Sequence, residues 1–124
     1  MIYGIGTDIF DVKRMKSAMD KDPGFCKSVL SEAEIAYCEK LKFRHQHFAA
    51  RFSAKEAFLK ALGTGWREGI SFPDIEVYHD ELGKPHIRLH RKAEEKARQL
   101  GISRIHVSLS HSRELATAMV ILEQ

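Results

Sequence analysis

Few side chains in this sequence have both the type and the placement to do chemistry. Asp8 is the lone acid of the opening run IYGIGTDI at 2–9. Glu56 and Lys60 lie four apart inside RHQHFAARFSAKEAFLKALGTG at 44–65, so on a helix they share a face one turn from each other. Gly63 and Gly65 follow them. With no Cβ, both let backbone approach a ligand closely, or simply cap the helix. Arg51, Lys55, His106, Ser110 and His111 are the groups that can join this set. Each feature also has a structural reading. Glu56 and Lys60 can be an i,i+4 ion pair, and Asp8 can be the N-cap of the next helix.

Spacing excludes several common devices. There is no HExxH, no GxxxxGK[ST], no strand-GxGxxG-helix unit and no cysteine ligand set. Neither Cys26 nor Cys38 sits in the electropositive setting that a nucleophilic thiolate needs. What remains fits a magnesium–diphosphate site. Mg²⁺ is typically held by one or two carboxylates together with substrate phosphate and water, and Asp8 and Glu56 supply the carboxylates. Without a cation they repel each other, and one of them resists ionisation. Lys60 can hold a phosphate oxygen and neutralise charge as a phosphorus–oxygen bond breaks. Glu56, a metal-bound water and a neutral Lys60 all stay open as the proton acceptor.

The elements that must position these groups follow from patterning. Good helix formers run from 44 to the glycine at 63, which predicts the longest helix of the chain, apolar almost all round and largely buried. Two polar openings remain on it, one with Arg51 and Lys55, the other with Ser53, Glu56 and Lys60. The first strand, over 2–9, places Tyr3, Ile5, Thr7 and Ile9 on one face and Gly4, Gly6 and Asp8 on the other. Two glycines on one strand face predict that something packs close against the backbone there.

A helix is expected over 11–19, with Lys13, Arg14 and Lys16 outward and Val12, Met15 and Met19 as its apolar seam. After a loop at 20–24, Ser31 and Glu34 make a capping-box spacing that opens a helix to about 41. A loop covers 66–72, and a hairpin pairs strands 75–78 and 86–89 around a turn at 80–84. A polar helix over 91–100 stops at Gly101. The last two strands span 104–110, with Arg104, His106, Ser108 and Ser110 on one face, and 116–122, nearly continuous apolar and therefore interior. The turn between them holds His111, Ser112, Arg113 and Glu114.

At 124 residues with 44% hydrophobic content, the chain reads as one domain, 1–124, with a modest single core. The net charge of +3 suits an anionic ligand or acidic partner but falls far short of a nucleic-acid tail. No signal peptide or membrane-length apolar run is present, so a cytoplasmic setting with both thiols free is expected.

GIGTDI at 4–9, ARFSAKEAFLKALGTG at 50–65 and HVSLSHS at 106–112 followed by ATAMVI closely resemble the holo-[acyl-carrier-protein] synthases, the small stand-alone 4′-phosphopantetheinyl transferases. SEAEI at 31–35 and Gly83-Lys84-Pro85 extend the similarity over nearly the whole chain. In this order and at these separations the blocks are specific. The resemblance implies an α+β fold, a mostly antiparallel sheet packed against the long helix, that assembles as a homotrimer with active sites between neighbouring subunits. It implies Mg²⁺-dependent transfer of 4′-phosphopantetheine from coenzyme A to a serine of apo-acyl carrier protein, releasing adenosine 3′,5′-bisphosphate, in support of fatty acid biosynthesis. Asp8 and Glu56 match the family's magnesium acids and Lys60 its active-site lysine. Arg51, Gly63, Gly65, His106 and Ser110 match positions lining the coenzyme A site, and Arg14 matches a residue that docks the acidic carrier protein. In FRHQH at 43–47 only Arg44 is firmly cationic, where more basic residues would be expected for the adenosine phosphates; His45, His47 or a neighbouring subunit can contribute.

Two other classes compete. The Lys13–Lys16 cluster and the net charge suit a module binding RNA or another polyanion, but no exposed aromatics interleave with the basic residues to make a stacking platform. A purely structural trimer leaves the glycine-lined Asp8 unexplained.

Overall fold

The computed structural model describes residues 1–64 and 69–124. Gly65, together with Trp66 at the start of the expected 66–72 loop, lies outside the described residues.

The first strand, β1 (Ile2–Asp11), runs two residues beyond the expected end. Its last residue, Asp11, caps helix α1 (Val12–Lys21) by accepting from the Lys13 N–H at 2.8 Å. The cap is therefore Asp11 and not Asp8, which leaves the Asp8 carboxylate for other partners. Helix α2 (Phe25–Val29) has no counterpart in the sequence reading, because five residues are too few to show a helical period. Helix α3 (Glu32–Glu39) opens with the full capping box between Ser31 and Glu34.

Helix α4 (Arg44–Leu62) is 19 residues long and mostly buried. It ends where Gly63 adopts φ 85°, a left-handed C-cap that glycine accepts without Cβ strain. A 3₁₀ turn (Phe72–Asp74) follows, within what reads as loop in the sequence. Then come strands β2 (Ile75–His79) and β3 (Pro85–Leu89), helix α5 (Arg91–Gln99), and strands β4 (Arg104–His111) and β5 (Leu115–Glu123). No described helix is long and apolar enough to cross a membrane.

All strand pairs are antiparallel, but they form two sheets and not the one expected: a three-stranded sheet in the order β1-β5-β4, and the β2-β3 hairpin. In the larger sheet Gly4 pairs with Leu122, Gly6 with Val120 and Asp8 with Ala118. This face packs on α4, whose side chains form a common core with Ala118, Val120, Leu122, Ile75 and Val77. A second core lies between the N-terminal half of α4 and α1–α3, around Met15, Leu30, Cys38 and Phe48.

The two glycines are what let β1 lie on α4. A Cβ at Gly4 would sit 2.0 Å from the Ala61 carbonyl oxygen, and one at Gly6 would sit 1.9 Å from that of Ala57. Strand backbone thus packs on helix backbone, and alanines at 54, 57 and 61 keep the helix thin enough to permit it.

The opening expected around Arg51 and Lys55 is closed. Both side chains are buried beneath α3, β2 and the 3₁₀ turn. Lys55 Nζ donates to Glu34 Oε1 at 2.6 Å and to the Phe72 carbonyl at 2.9 Å. Glu34 also accepts from the Ser31 N–H at 2.9 Å and the Val77 N–H at 3.0 Å. A buried ammonium and carboxylate persist only when their hydrogen-bonding capacity is met, and this network meets it with four separate chain segments.

Gly6→Ala tests the strand–helix contact. The clash is with backbone, which cannot rotate away, so the variant should lose about 1–3 kcal/mol in urea-induced unfolding. Ser53→Gly would thin the same helix without relieving it and should not restore stability.

Candidate functional site

Asp8 enters the site from β1 because the strand's period of two turns it toward α4, on the same face as Gly4 and Gly6. The carboxylate is held on both oxygens. Ser53 Oγ donates to Oδ2 at 3.0 Å, and Lys60 Nζ donates to Oδ1 at 3.2 Å. Lys60 also donates to the Thr7 carbonyl at 3.0 Å, while its side chain stays 55% exposed. Ser53, Glu56 and Lys60 follow one another at i, i+3 and i+7, which puts them on one face of α4.

Asp8 and Glu56 line one cavity of about 580 Å³ between β1, α1, α2 and α4. Burial and, next, the Asp8 charge push the Glu56 carboxyl above its ordinary value of 4.5, with Lys60 acting in the opposite direction. Two neighbouring acids whose charges oppose each other, with an ammonium already drawn to one of them, form a donor set suited to a hard divalent cation. Among the described residues no group of three or more His, Cys, Asp or Glu could hold a metal. Two carboxylates leave the remaining coordination positions to water and a substrate oxygen, which is the open arrangement Mg²⁺ favours.

Arg14 lines the same cavity from α1, its guanidinium 5.2 Å from the centre of the Phe10 ring. Phe10, Phe25 and Phe52 make the apolar wall, with Phe10 and Phe52 tilted at 4.8 Å between centroids. Lys21 adds a second cation at the rim. None of the aromatic residues was picked out by sequence reasoning. Phe52 reads as one more core position on its helix, and Phe25 belongs to the short helix that leaves no periodic trace.

The other expected site residues lie elsewhere in the chain. Arg51 projects from the opposite side of α4, 1% exposed, with Nη2 3.0 Å from His79 Nδ1 and its guanidinium 4.6 Å from the centre of the Tyr37 ring. Its Nε has no hydrogen-bond partner among the described residues. His47 packs edge-on to His111 at 4.9 Å, and burial followed by His111, Arg51 and His79 lowers its pKa from 6.5. Gly63 is the exposed C-cap of α4 with open space around it, and Gly65 is not among the described residues. His106 and Ser110 lie on β4 in register with Ile121 and Thr117, hence with Ile5 and Ile9 of β1. That is the sheet face turned away from α4, where His106 contacts Glu123. One chain therefore brings Asp8, Glu56, Lys60 and Arg14 together, and leaves Arg51, His106 and Ser110 apart from them.

Comparison with known proteins is consistent across the whole length. Residues 4–119 match the model of the 4′-phosphopantetheinyl transferase superfamily. A holo-[acyl-carrier-protein] synthase of Syntrophus aciditrophicus is 51% identical over 99% of this chain and 97% of its own. The crystal structure of the Neisseria meningitidis holo-[acyl-carrier-protein] synthase superposes with a TM-score of 0.92 at 37% identity, covering 100% of both chains. That of a holo-(acyl-carrier-protein) synthase from Bacillus anthracis, in complex with CoA (3′,5′-ADP), superposes with a TM-score of 0.82 at 39% identity, over 98% of this chain and 96% of that one.

The raised Glu56 carboxyl sets a pH dependence in metal-free protein. Its folded-state pKa lies above the unfolded value of 4.5, so its stability contribution is full below that pH and is lost as pH rises through the raised value. Glu56→Gln stays neutral throughout. In urea titrations with chelator present, the variant should gain stability relative to the parent as pH increases from about 4 to 7.

Proposed function

Since the chain belongs to the 4′-phosphopantetheinyl transferase superfamily, among its holo-[acyl-carrier-protein] synthases, we propose that it transfers 4′-phosphopantetheine from coenzyme A to a serine of apo-acyl carrier protein. The observation that carries this reading is the meeting of Asp8 and Glu56 in one cavity with Lys60 on Asp8. In this reading the serine hydroxyl oxygen bonds to the phosphorus that carries pantetheine. The phosphorus–oxygen bond to the rest of the diphosphate breaks, and adenosine 3′,5′-bisphosphate leaves. Asp8 and Glu56 would hold Mg²⁺, which when bound offsets the charge of the diphosphate. Lys60 is exposed enough to turn from Asp8 to a phosphate oxygen, where its ammonium meets the charge growing on the leaving group. Of the chain's own groups, Glu56, which lines the cavity beside Asp8, is the better placed to accept the serine proton. The product, a carrier protein with its thiol arm, would serve fatty acid biosynthesis.

Arg14 and Lys21 at the cavity rim, with Lys13 and Lys16 exposed on the same helix, give an acidic carrier protein a basic surface beside the reacting groups. On the far side of α4, His47, His79 and His111, with the buried Arg51 guanidinium behind His79, suit an anion such as a coenzyme A phosphate.

We further propose that the active enzyme is a homotrimer. The sheet face turned away from α4 exposes an apolar strip on β1 and β5 beside the polar residues of β4, with Ile5 and Ile9 each 61% and Met119 45% exposed. Such a contiguous strip on a small domain marks an association surface. His106 and Ser110 share that face, so a neighbouring copy is the means by which they would join a site with Asp8 and Glu56. A cytoplasmic setting, where coenzyme A and carrier proteins meet, follows from the same reading.

Two experiments test these proposals. With coenzyme A, Mg²⁺ and an apo-carrier protein, mass spectrometry should find the phosphopantetheine adduct, and Glu56→Gln should lower the rate by about 10²-fold or more while the protein still folds. Undiminished turnover by the variant would remove Glu56 from the chemistry. In sedimentation analysis the parent should have three times the chain mass, and Ile5→Glu should shift it to a single copy.

A further inference from the structure

Ser53 stands out among the small residues of α4. Its neighbours facing the strand and the core at 49, 50, 54, 57 and 61 are all alanine, the best helix former, whereas serine in a helix interior is less favourable. Space is not the reason for it, because alanine is smaller still. A serine inside a helix commonly returns its hydroxyl to the carbonyl one turn back. Here Oγ, on a side chain that is fully buried, donates instead to Asp8 Oδ2 at 3.0 Å.

We propose that Ser53 is a positioning residue for the metal carboxylate, an inference that rests on the magnesium reading of Asp8 and Glu56 above. The carboxylate's two oxygens have separate partners. Oδ2 is tied to the helix by Ser53, and Oδ1 meets the exposed cation of the site, Lys60. Tying one oxygen fixes the rotation of the carboxylate about its last bond, so Oδ1 is the oxygen left to exchange the ammonium for a metal ion. Ser53 lies one turn before Glu56 on the same helix, so one rigid element sets the direction of both acids. Hydrogen bonds behind a metal's ligands commonly change affinity by about 10- to 100-fold, which is the range expected for Ser53.

Mn²⁺ binding to the purified protein, with neither coenzyme A nor carrier protein present, separates the possibilities when followed by the loss of the free-ion electron paramagnetic resonance signal. The parent should bind and Asp8→Asn should not. Ser53→Ala should bind about tenfold or more weakly, and its activity deficit should shrink as Mg²⁺ is raised. If Asp8→Asn binds as the parent does, or the parent does not bind, the magnesium reading fails and takes this inference with it. If the parent binds, Asp8→Asn does not, and Ser53→Ala matches the parent, then Ser53 alone is refuted and the metal site stands. Circular dichroism and a melting curve check the fold of Ser53→Ala. Should it unfold, Ser53→Thr and Ser53→Val form an isosteric pair that differs in the hydroxyl. Tighter Mn²⁺ binding by the threonine variant supports the role, and equal binding by the two refutes it.

Discussion

The structure depends on the contact of one backbone with another. Strand β1 reaches α4 so closely that only glycine fits at positions 4 and 6, against the carbonyls of Ala61 and Ala57. A side chain of ordinary size on either partner would push the two elements apart by the width of that side chain. Asp8 would then lift away from Ser53 and Lys60, whose hydrogen bonds to it are 3.0 and 3.2 Å long and tolerate little added separation. The tight contact is thus what turns a strand-borne acid and a helix-borne acid into neighbours.

Helix α4 divides its polar residues between two sides with different tasks. On one, Ser53, Glu56 and Lys60 face β1 and the cavity. On the other, Lys55 is locked to Glu34 and the Phe72 carbonyl, and Arg51 lies between Tyr37 and His79. The second side fastens α3, β2 and the 3₁₀ turn to the helix. Rigidity obtained there holds the helix under β1, so the buried ion pair supports the site without touching it. That division explains how neighbouring Lys55 and Glu56 come to serve opposite purposes: consecutive helical residues point about 100° apart.

The cavity joins unlike walls. Its acids face an aromatic wall of Phe10, Phe25 and Phe52, while Arg14 and Lys21 occupy the rim. An apolar wall lowers the local dielectric and strengthens each charge interaction beside it. The raised Glu56 carboxyl is one expression of that environment, and a bound cation would be attracted for the same reason.

Local pattern alone made much of this legible. The capping box at Ser31, the glycine stop of α4, the faces of β1 and the shared face of Glu56 and Lys60 all depend on residues within a few positions of one another, where helix and strand periods are fixed by covalent geometry. The family resemblance likewise rests on short blocks in order. That Asp11 and not Asp8 caps α1, that Lys55 is buried, and that Ser53 holds Asp8 were decided only in three dimensions. Each of these turns on a partner 17 to 45 residues away or on a strand running two residues longer than its pattern suggested. The division into two sheets and the separation of His106 and Ser110 from the acids are of the same kind, since strand order is a property of pairing and not of any one strand. A sequence displays which side chains share an element's face; only packing determines which faces meet.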